Sequence, residues 1–278
     1  MKYINPQSNS HESRQAGLLH IVHGFAVLYS ALLVLAVICL SWTLLALPLY
    51  VLLPQRWGTI VGRVGIMAGF RFYSWYLGLV GMYRLDLRAI DALRGGPALI
   101  LAPNHPTMID AILILTRHPN FACVMKKEIL ANAFLGSGAR LARYVCNDRP
   151  LRMIRDAVAD LGRGGILLLF PEGTRSVQSP ISALTASVGV IAKEASVDVQ
   201  TLIIEVDTPY LAKGWTLFRR PALPITYRVR LGKRFSPPAD VRTFMAELDT
   251  YYRAELGDAP QSQWLGKVAR ISTGRRAP

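Results

Sequence analysis

The sequence predicts an α/β fold in which helices flank a central mixed, largely parallel sheet, with an N-terminal membrane-embedded helical segment ahead of it. Three observations lead to this prediction: residues 24–54 are apolar and uncharged, strand-like and helix-like segments alternate after Tyr83, and two polar motifs each follow a buried strand. The same pattern divides the chain into a tail over 1–23, membrane-embedded or interfacial helices over 24–82, an α/β domain over 83–256 and a basic tail over 257–278.

The apolar segment is too long for a signal peptide or an ordinary core helix. No Lys, Arg, Asp or Glu lies between Arg14 and Arg56, whereas a signal peptide has a short apolar core and a soluble core helix rarely stays apolar on every face. Insertion into a membrane is therefore predicted. A straight helix over 24–54 would be about 46 Å long against a hydrocarbon core of about 30 Å. Pro48 also disfavours an unbroken helix, so two arrangements stay open: a tilted span ending near Leu47, or two shorter helices in a re-entrant hairpin.

The next segment, residues 64–83, mixes six aromatic residues with Arg71 and several glycines. This mixture is typical of a helix at the headgroup level of a membrane, and an amphipathic helix packed on a core is the alternative. Arg56, Arg63 and Arg71 favour a cytoplasmic C-terminal side. We therefore expect a membrane protein whose α/β domain faces the cytoplasm, at the inner membrane if the source is bacterial.

The chain is strongly basic, with a net charge of +14. Seven basic residues and no acidic one lie from Lys213 to Arg234, and beside a long apolar segment this favours attraction to anionic membrane lipids. No recognisable nucleic-acid-binding motif accompanies the charge, so no nucleic-acid partner is predicted. The three cysteines have no paired spacing, and neither a disulfide framework nor a metal site is expected.

The α/β domain is predicted from short apolar or alternating runs separated by helical patterns. Strands are predicted at 83–87, 97–102, 121–125, 144–146, 166–170, 199–206 and 225–231, and helices at 108–115, near 129–134, from Pro150, and at 184–195 and 241–256. Ligands of such sheets bind beyond the carboxyl ends of the strands. The two polar motifs follow the strands at 97–102 and 166–170, so both are expected at that edge.

The first motif is NHPTMID, residues 104–110. A spacing of five leaves two side chains about 140° apart on a helix, so His105 is expected in the turn before the helix, with Pro106 near the first helical position. From there the imidazole can fold back toward Asp110. A carboxylate bonded to one ring nitrogen fixes the tautomer and leaves the other nitrogen as a general base. His105 and Asp110 are therefore the predicted catalytic pair.

The second motif is FPEGTRS, residues 170–176. Its proline and glycine predict a tight turn from which Glu172, Thr174 and Arg175 project. The planar guanidinium of Arg175 suits a phosphate group. The alternative is a turn with an exposed Glu–Arg pair, which would contribute little to stability.

The ordered pair of H-x4-D and F-P-E-G-T-R closely resembles the glycerolipid acyltransferases, a family whose best-known type acylates 1-acyl-sn-glycerol-3-phosphate. The resemblance covers about residues 83–231. It implies that His105 takes the proton of an acceptor hydroxyl and is oriented by Asp110, while the hydroxyl attacks an acyl thioester. Acyl-CoA or acyl carrier protein is then the donor substrate, a lysophospholipid is the acceptor, and no cofactor is needed. The implied substrate-binding residues are Glu172, Gly173, Thr174, Arg175, Lys126, Lys127 and Arg149.

Departures from the family pattern leave the acceptor open. Leu184, Thr185 and Ser187 stand where the family commonly has Phe, a basic residue and Gly, Val199-Gln200-Thr201 lacks a usual proline, and Arg143 replaces a usual glycine. We expect 1-acyl-glycerol-3-phosphate as acceptor and phosphatidic acid as product. The alternatives are a lyso-aminolipid or other hydroxylated acyl intermediate, and a non-catalytic membrane adaptor with the same fold. A serine hydrolase is disfavoured because the chain has no G-x-S-x-G motif. A metalloenzyme is disfavoured because His20 and His23, in the spacing H-x-x-H, lie at the apolar segment without acidic residues nearby.

Overall fold

The computed structural model describes residues 6–132 and 136–265. These residues form one seven-stranded sheet in the order β1-β7-β6-β2-β5-β3-β4. The strands are β1 (Tyr83–Asp86), β2 (Leu99–Pro103), β3 (Phe121–Met125), β4 (Val145–Cys146), β5 (Ile166–Leu168), β6 (Asp198–Val206) and β7 (Ile225–Phe235). Every neighbouring pair is parallel except β6 with β7. The predicted fold class is confirmed.

Helices cover both faces of the sheet. They are α1 (Pro6–Leu52), α2 (Gln55–Leu79), a 3-10 helix (Arg88–Leu93), α3 (Asp110–Leu115), α4 (Lys127–Leu130), α5 (Gly136–Leu141), α6 (Pro150–Leu161), α7 (Ser187–Ala195) and α8 (Val241–Leu256). The helix predicted near 129–134 thus begins earlier and ends at Leu130, and residues 133–135 lie outside the described part. Alternate residues of β2 point to opposite faces: Leu101 packs in the core shared with α1, α2 and α3, and Ile100 in the core shared with α6, α7 and α8.

Residues 24–54 belong to a single helix, so the predicted hairpin of two shorter helices is wrong, and so is the predicted helix end near Leu47. α1 is unbroken from Pro6, inside the expected tail, through Pro48 to Leu52. Proline removes one helical hydrogen bond, and packing on both sides of it offsets the loss. Ala46 is fully buried, and the Tyr50 ring lies under the guanidinium of Arg143 at 5.0 Å.

The hairpin partner of α1 is the following helix, α2. Gly65 and Gly69 of α2 lie against Trp42 and Ile38 of α1, and a side chain at either glycine would meet those residues at 2.1 Å and 3.1 Å. The two glycines therefore let the helices approach closely. The result is an antiparallel pair of helices joined by a short turn and packed on the sheet.

One face of α1 is buried and the opposite face is apolar and exposed. Leu28 and Ala46 pack against the rest of the protein, whereas Leu44 and Val51 are exposed. The stretch Leu19–Leu52 has a mean hydropathy of 2.5 and is, by length and composition, long and apolar enough to cross a membrane. Exposed apolar faces of this kind mark contacts with a membrane or with another protein.

α2 combines both interpretations of residues 64–83. Tyr73 and Leu77 are buried in the core, as an amphipathic core helix requires, while Phe72 and Trp75 are exposed. The aromatic side chains therefore serve two surfaces: one packs against the α/β domain, and the other is an exposed pair in which Phe72 contacts Trp75.

Arg63, one of the arginines on which the predicted orientation rests, is buried instead of exposed. Its guanidinium donates to Asp160 of α6 at 2.6 Å and to the carbonyl oxygen of Ala142 at 3.1 Å. A buried arginine is tolerated only when its charge and its N–H groups are paired. The charge of Arg63 therefore belongs to the contact between α2 and α6 and carries no information on membrane orientation.

The predicted basic tail begins later than residue 257. Gln261 is buried, and its side chain donates to the carbonyl oxygen of Ile204 at 2.8 Å and accepts from the N–H of Val206 at 3.2 Å. The amide thereby satisfies backbone groups of β6 that no strand pairs. The domain therefore extends to residue 265, and the rest of the predicted tail lies outside the described residues.

Candidate active site

The two motifs meet at one edge of the sheet. β2 and β5 are adjacent and parallel, with Leu101 opposite Leu168, so their carboxyl ends lie side by side at about 4.8 Å. NHPTMID follows β2, and FPEGTRS follows β5. A backbone hydrogen bond from the N–H of Ser176 to the carbonyl oxygen of His105, 2.7 Å long, joins the two motifs directly.

His105 is hydrogen-bonded to Asp110, the contact expected from its place before the helix. His105 Nδ1 lies 2.8 Å from Asp110 Oδ2. The helix begins later than predicted, because α3 starts at Asp110 and Pro106 lies in the turn ahead of it rather than at the first helical position. This turn lets the imidazole fold back onto the first residue of the helix.

Asp110 is completely buried, and four donors surround its carboxylate. Oδ2 accepts from His105 Nδ1 and from the N–H of Thr107 at 2.9 Å. Oδ1 accepts from the hydroxyl of Thr107 and from that of Tyr227 at 2.9 Å. A carboxylate has about four lone-pair sites, so each has a partner. Burial and the nearby Asp110 raise the pKa of Tyr227 well above its usual value, which keeps the phenol a neutral donor.

Two of these donors are missing from the sequence prediction. Thr107 stands three positions before Asp110, the spacing of a helix-capping box, and that spacing could have predicted the contact. Tyr227 lies far along the chain, on β7. The sequence feature that could have predicted its contact is its inward-facing position in an alternating strand, because a buried phenol needs a hydrogen-bond partner.

The imidazole of His105 is also held by Phe170 of the second motif. The ring centroids lie 3.8 Å apart, and the ring planes differ by 21°. Because Asp110 accepts at Nδ1, that nitrogen carries the proton, and Nε2 keeps its lone pair. No described residue hydrogen-bonds Nε2, and 16% of the side chain is exposed. A hydroxyl group that enters the site can therefore donate its proton to Nε2.

Glu172 points into the protein, so the predicted projection from the turn and the exposed Glu–Arg pair are both wrong. Oε1 accepts from the N–H of His105 at 3.0 Å and from the hydroxyl of Ser176 at 2.6 Å, and Oε2 accepts from the N–H of Ser182 at 3.0 Å. Buried backbone donors need such acceptors. Glu172 thus holds the backbone of His105 in place, and Ser176 donates to Glu172 rather than to the imidazole.

Gly173 is required by the shape of the turn. Its φ of 63° lies in the left-handed region, and a Cβ there would lie 3.3 Å from Thr185 Cγ2. Thr185 stands where the family commonly has a basic residue, and it donates its N–H and its hydroxyl to the carbonyl oxygen of Pro171 at 2.7 and 3.0 Å. It therefore closes the turn and supplies no charge to it.

Arg175 is the cation of this turn, and it is partly exposed, as is Thr174. Its Nη1 donates to the carbonyl oxygens of Leu211 and Ala212 at 2.8 and 3.1 Å. No described residue bonds the other guanidinium N–H groups. Burial lowers the pKa of Arg175, and Asp110 counteracts the shift, so the side chain stays charged and can bind an anion.

Lys126, Lys127 and Arg149 lie farther along the same edge. Lys126 follows β3 and Arg149 follows β4, and all three side chains are exposed. With strands about 4.8 Å apart, β3 and β4 lie about 10 and 14 Å from β2. These three cations therefore lie at the same edge of the sheet as His105, two and three strands away from β2.

Two of the departures from the family pattern have structural explanations. Arg143 has a φ of 55°, a conformation that glycine adopts without strain, which accounts for the usual glycine. Gln200 and Thr201 lie at a register shift between β6 and β7. Their side chains donate to the carbonyl oxygens of Gly232 and Lys233, both at 2.7 Å. These residues stabilise the sheet and do not contact the His–Asp pair.

The described residues contain no group of three or more His, Cys, Asp or Glu side chains that could hold a metal ion. The three cysteines, Cys39, Cys123 and Cys146, are free thiols in the structure.

Comparisons with known proteins bear on the family and the fold. A family model described as Acyltransferase matches residues 84–205, which include both motifs. Among solved structures, the chain is similar to the 1-acyl-sn-glycerophosphate (LPA) acyltransferase PlsC from Thermotoga maritima, with 16% identity and a TM-score of 0.66 over 85% of this chain and 96% of that one. At this identity the likeness shows the fold. No curated protein sequence matches the chain.

Proposed function

We propose that this enzyme, whose residues 84–205 are a domain of the acyltransferase family, transfers a fatty acyl group from an acyl thioester to the hydroxyl of a lysophospholipid. The proposed acceptor is 1-acyl-glycerol-3-phosphate, and the product is phosphatidic acid, a precursor of phospholipids. The single observation that carries the proposal is an imidazole whose Nδ1 is hydrogen-bonded to a buried carboxylate and whose Nε2 is bonded by no residue that the structure describes.

The reaction needs one proton carrier and no protein nucleophile. His105 Nε2 takes the proton of the acceptor hydroxyl as its oxygen attacks the carbonyl carbon of the thioester. Asp110 stabilises the imidazolium that forms. When the carbon–sulfur bond breaks, the imidazolium gives its proton to the departing thiolate. The cycle ends with an ester, a free thiol and a neutral imidazole, and it uses no cofactor.

A phosphate-bearing acceptor is supported by Arg175. It belongs to the same turn as Phe170, which stacks on the imidazole, and the guanidinium keeps N–H groups that no described residue uses. A guanidinium binds phosphate through two parallel hydrogen bonds. Thr174, partly exposed in the same turn, adds a hydroxyl donor. These features favour a phosphomonoester over an uncharged or aminolipid headgroup.

The donor is the thioester of coenzyme A or of acyl carrier protein. Both thioesters sit on a long arm that carries phosphate, and the exposed cations Lys126, Lys127 and Arg149, which follow β3 and β4 at the same edge of the sheet, offer positive charge for it. The exposed apolar face of α1 supports attachment to the membrane that supplies the acceptor. We place the domain on the cytoplasmic face, at the inner membrane if the source is bacterial.

Arg175→Ala is expected to raise KM for lysophosphatidate by about 10- to 100-fold, the loss of a charge-assisted hydrogen bond. Steady-state kinetics with lysophosphatidate, lysophosphatidylethanolamine and monoacylglycerol, each offered with both donors, measure the effect. Arg242→Ala, an exposed arginine on α8, is the matched control. An unchanged KM for lysophosphatidate in Arg175→Ala, or a faster reaction with a different acceptor, would show that the acceptor is another lipid.

Glu172→Gln is expected to lower kcat by about 10- to 100-fold with little change in KM, because an amide nitrogen cannot accept from the N–H of His105 or of Ser182. The same kinetic series measures it, and Glu194→Gln on the exposed side of α7 serves as the control. A raised KM with an unchanged kcat would instead make Glu172 a ligand of the acceptor.

A further inference from the structure

The connection between β6 and β7, residues 207–224, contributes no side chain to the proposed reaction. Antiparallel neighbours are usually joined by two to five residues, so this connection, the β6–β7 loop, is far longer than the sheet requires. No Asp or Glu occurs from Thr208 to Ala239. Long loops in compact domains are mostly functional, and the charge of this one points to an anionic partner.

The structure separates the basic residues from Lys213 to Arg234 into two groups, one on β7 and one on the loop. On β7, Arg228 and Arg230 lie 4.0 and 3.2 Å from the carboxylate of Glu205. Arg234 donates to the side chain of Gln200 at 3.0 Å. The arginines of the strand are therefore used within the sheet, and attraction to lipid cannot be assigned to the run as a whole.

The basic residues of the loop itself are different. Lys213, Arg219 and Arg220 have no carboxylate partner among the described residues, and the guanidinium of Arg219 lies over the ring of Trp215 at 4.4 Å. Several cations close together on one loop create a positive potential that attracts anions. A tryptophan beneath one of them is typical of side chains at a membrane–water interface.

The tip of the loop is apolar and lies against α1. Leu217 and Phe218 are 39% and 62% exposed. The Phe218 ring stacks on Tyr29 of α1, with centroids 6.2 Å apart, and the side chain of Arg220 contacts Gly24. The apolar tip is thus continuous with the exposed face of α1, and the cations lie next to it.

The base of the loop is held at the active site. The carbonyl oxygen of Leu211 accepts from the N–H of Met108 in the first motif at 3.0 Å and from Arg175 in the second at 2.8 Å. Tyr210 is buried and packs edge-on against Trp215. Because the base is fixed in this way, the apolar tip and the cations keep a defined position between α1 and the catalytic pair.

We propose that the β6–β7 loop is a second membrane-binding element, distinct from α1, that binds the headgroups of anionic phospholipids. Leu217 and Phe218 enter the lipid beside α1, and Lys213, Arg219 and Arg220 contact the headgroup phosphates. Binding of an acidic protein would use only the cations and would leave the apolar tip without a partner. A lipid surface accounts for both features, because its headgroups bind the cations and its acyl chains bind the apolar tip beside α1. The inference concerns attachment and does not depend on the proposed acyl transfer.

The test is partition of the purified full-length chain into vesicles, measured by flotation. The vesicles contain phosphatidylcholine alone or phosphatidylcholine with phosphatidylglycerol. K213Q/R219Q/R220Q is expected to lower partition into the anionic vesicles by about 10- to 100-fold and to leave partition into the neutral ones unchanged. Added salt should also lower partition of the wild-type chain into the anionic vesicles, because it screens the same charges. L217S/F218S should weaken binding to both kinds of vesicle.

The matched control is K193Q/R242Q/R253Q, which removes the same charge from α7 and α8 on the opposite face of the sheet. An equal loss in this control would assign the effect to net charge and overturn the proposal. Unchanged partition of K213Q/R219Q/R220Q would overturn it as well. If that variant instead loses binding to acyl carrier protein while its vesicle partition is intact, the loop serves an acidic protein and the proposal is wrong. Flotation measures vesicle binding in the absence of substrates, so none of these outcomes tests the proposed acyl transfer.

Discussion

His105→Ala is expected to lower the rate of acyl transfer by about 10²–10⁴-fold, the usual contribution of a general base. The variant removes Nε2, the nitrogen that receives the hydroxyl proton. The fold should survive, because Asp110 keeps its hydrogen bonds from Thr107 and Tyr227 and its buried charge stays compensated. Steady-state transfer to lysophosphatidate and thermal melting of the same preparation measure the two effects.

The control for this prediction is His118→Ala. His118 lies beyond the opposite end of α3, where its Nδ1 accepts from the N–H of Asn120 at 3.0 Å. We expect that variant to keep its rate within a few-fold of wild type. An undiminished rate of acyl transfer in His105→Ala would contradict the proposed mechanism. An equal loss of rate in both variants would indicate a general effect on the fold.

Asp110→Asn is expected to lower the rate by about 10³–10⁴-fold. The amide nitrogen of asparagine is a donor and would face groups that themselves donate to the carboxylate, namely Thr107, Tyr227 and His105. To relieve the conflict, the imidazole must shift its proton to Nε2, which then cannot accept one. A lower melting temperature should accompany the loss, since the substitution leaves a buried donor without a partner.

Two comparisons separate catalysis from folding in that variant. Asp91→Asn changes a partly exposed carboxylate that pairs with Arg94 and Arg117, and it should leave the rate unchanged. H105A/D110N should be no slower than the slower of the two single variants, because residues that act as a unit do not contribute additively. If the loss of rate in the double variant equals the product of the two single losses, His105 and Asp110 act independently, and the proposed pair is wrong.

Much of the domain could be predicted from the sequence because its signals are local. β3 and α8 have the bounds that apolar runs and helical periodicity predict, and β2 and β5 were recognisable as short apolar runs beside turns. The contact between His105 and Asp110 follows from a strand, a turn and a helix in order. Each of these inferences uses residues that are close in the chain, where spacing determines which side chains can meet.

Predictions failed where the deciding partner lies far along the chain. Pro48 stays inside a helix because α1 packs on the domain, and Arg63 is buried because Asp160 on α6 receives it. Glu172 turns inward because the backbone of His105 supplies a donor. Propensity and charge patterns describe each residue by itself, and tertiary packing overrides them when it provides a partner.

By itself, the sequence determined the α/β class, the two motifs at neighbouring strand ends and the His–Asp pair, because strand order and short spacings constrain these features locally. Only the tertiary structure decided which groups complete the site. Tyr227 reaches Asp110 across 117 positions, and Arg175 is anchored by the β6–β7 loop. Three cations of that loop have no carboxylate partner in the described part of the chain, while the arginines of β7 bind Glu205 and Gln200. The physical reason is that a hydrogen bond or ion pair depends on separation in space, and the register and packing of distant strands set that separation.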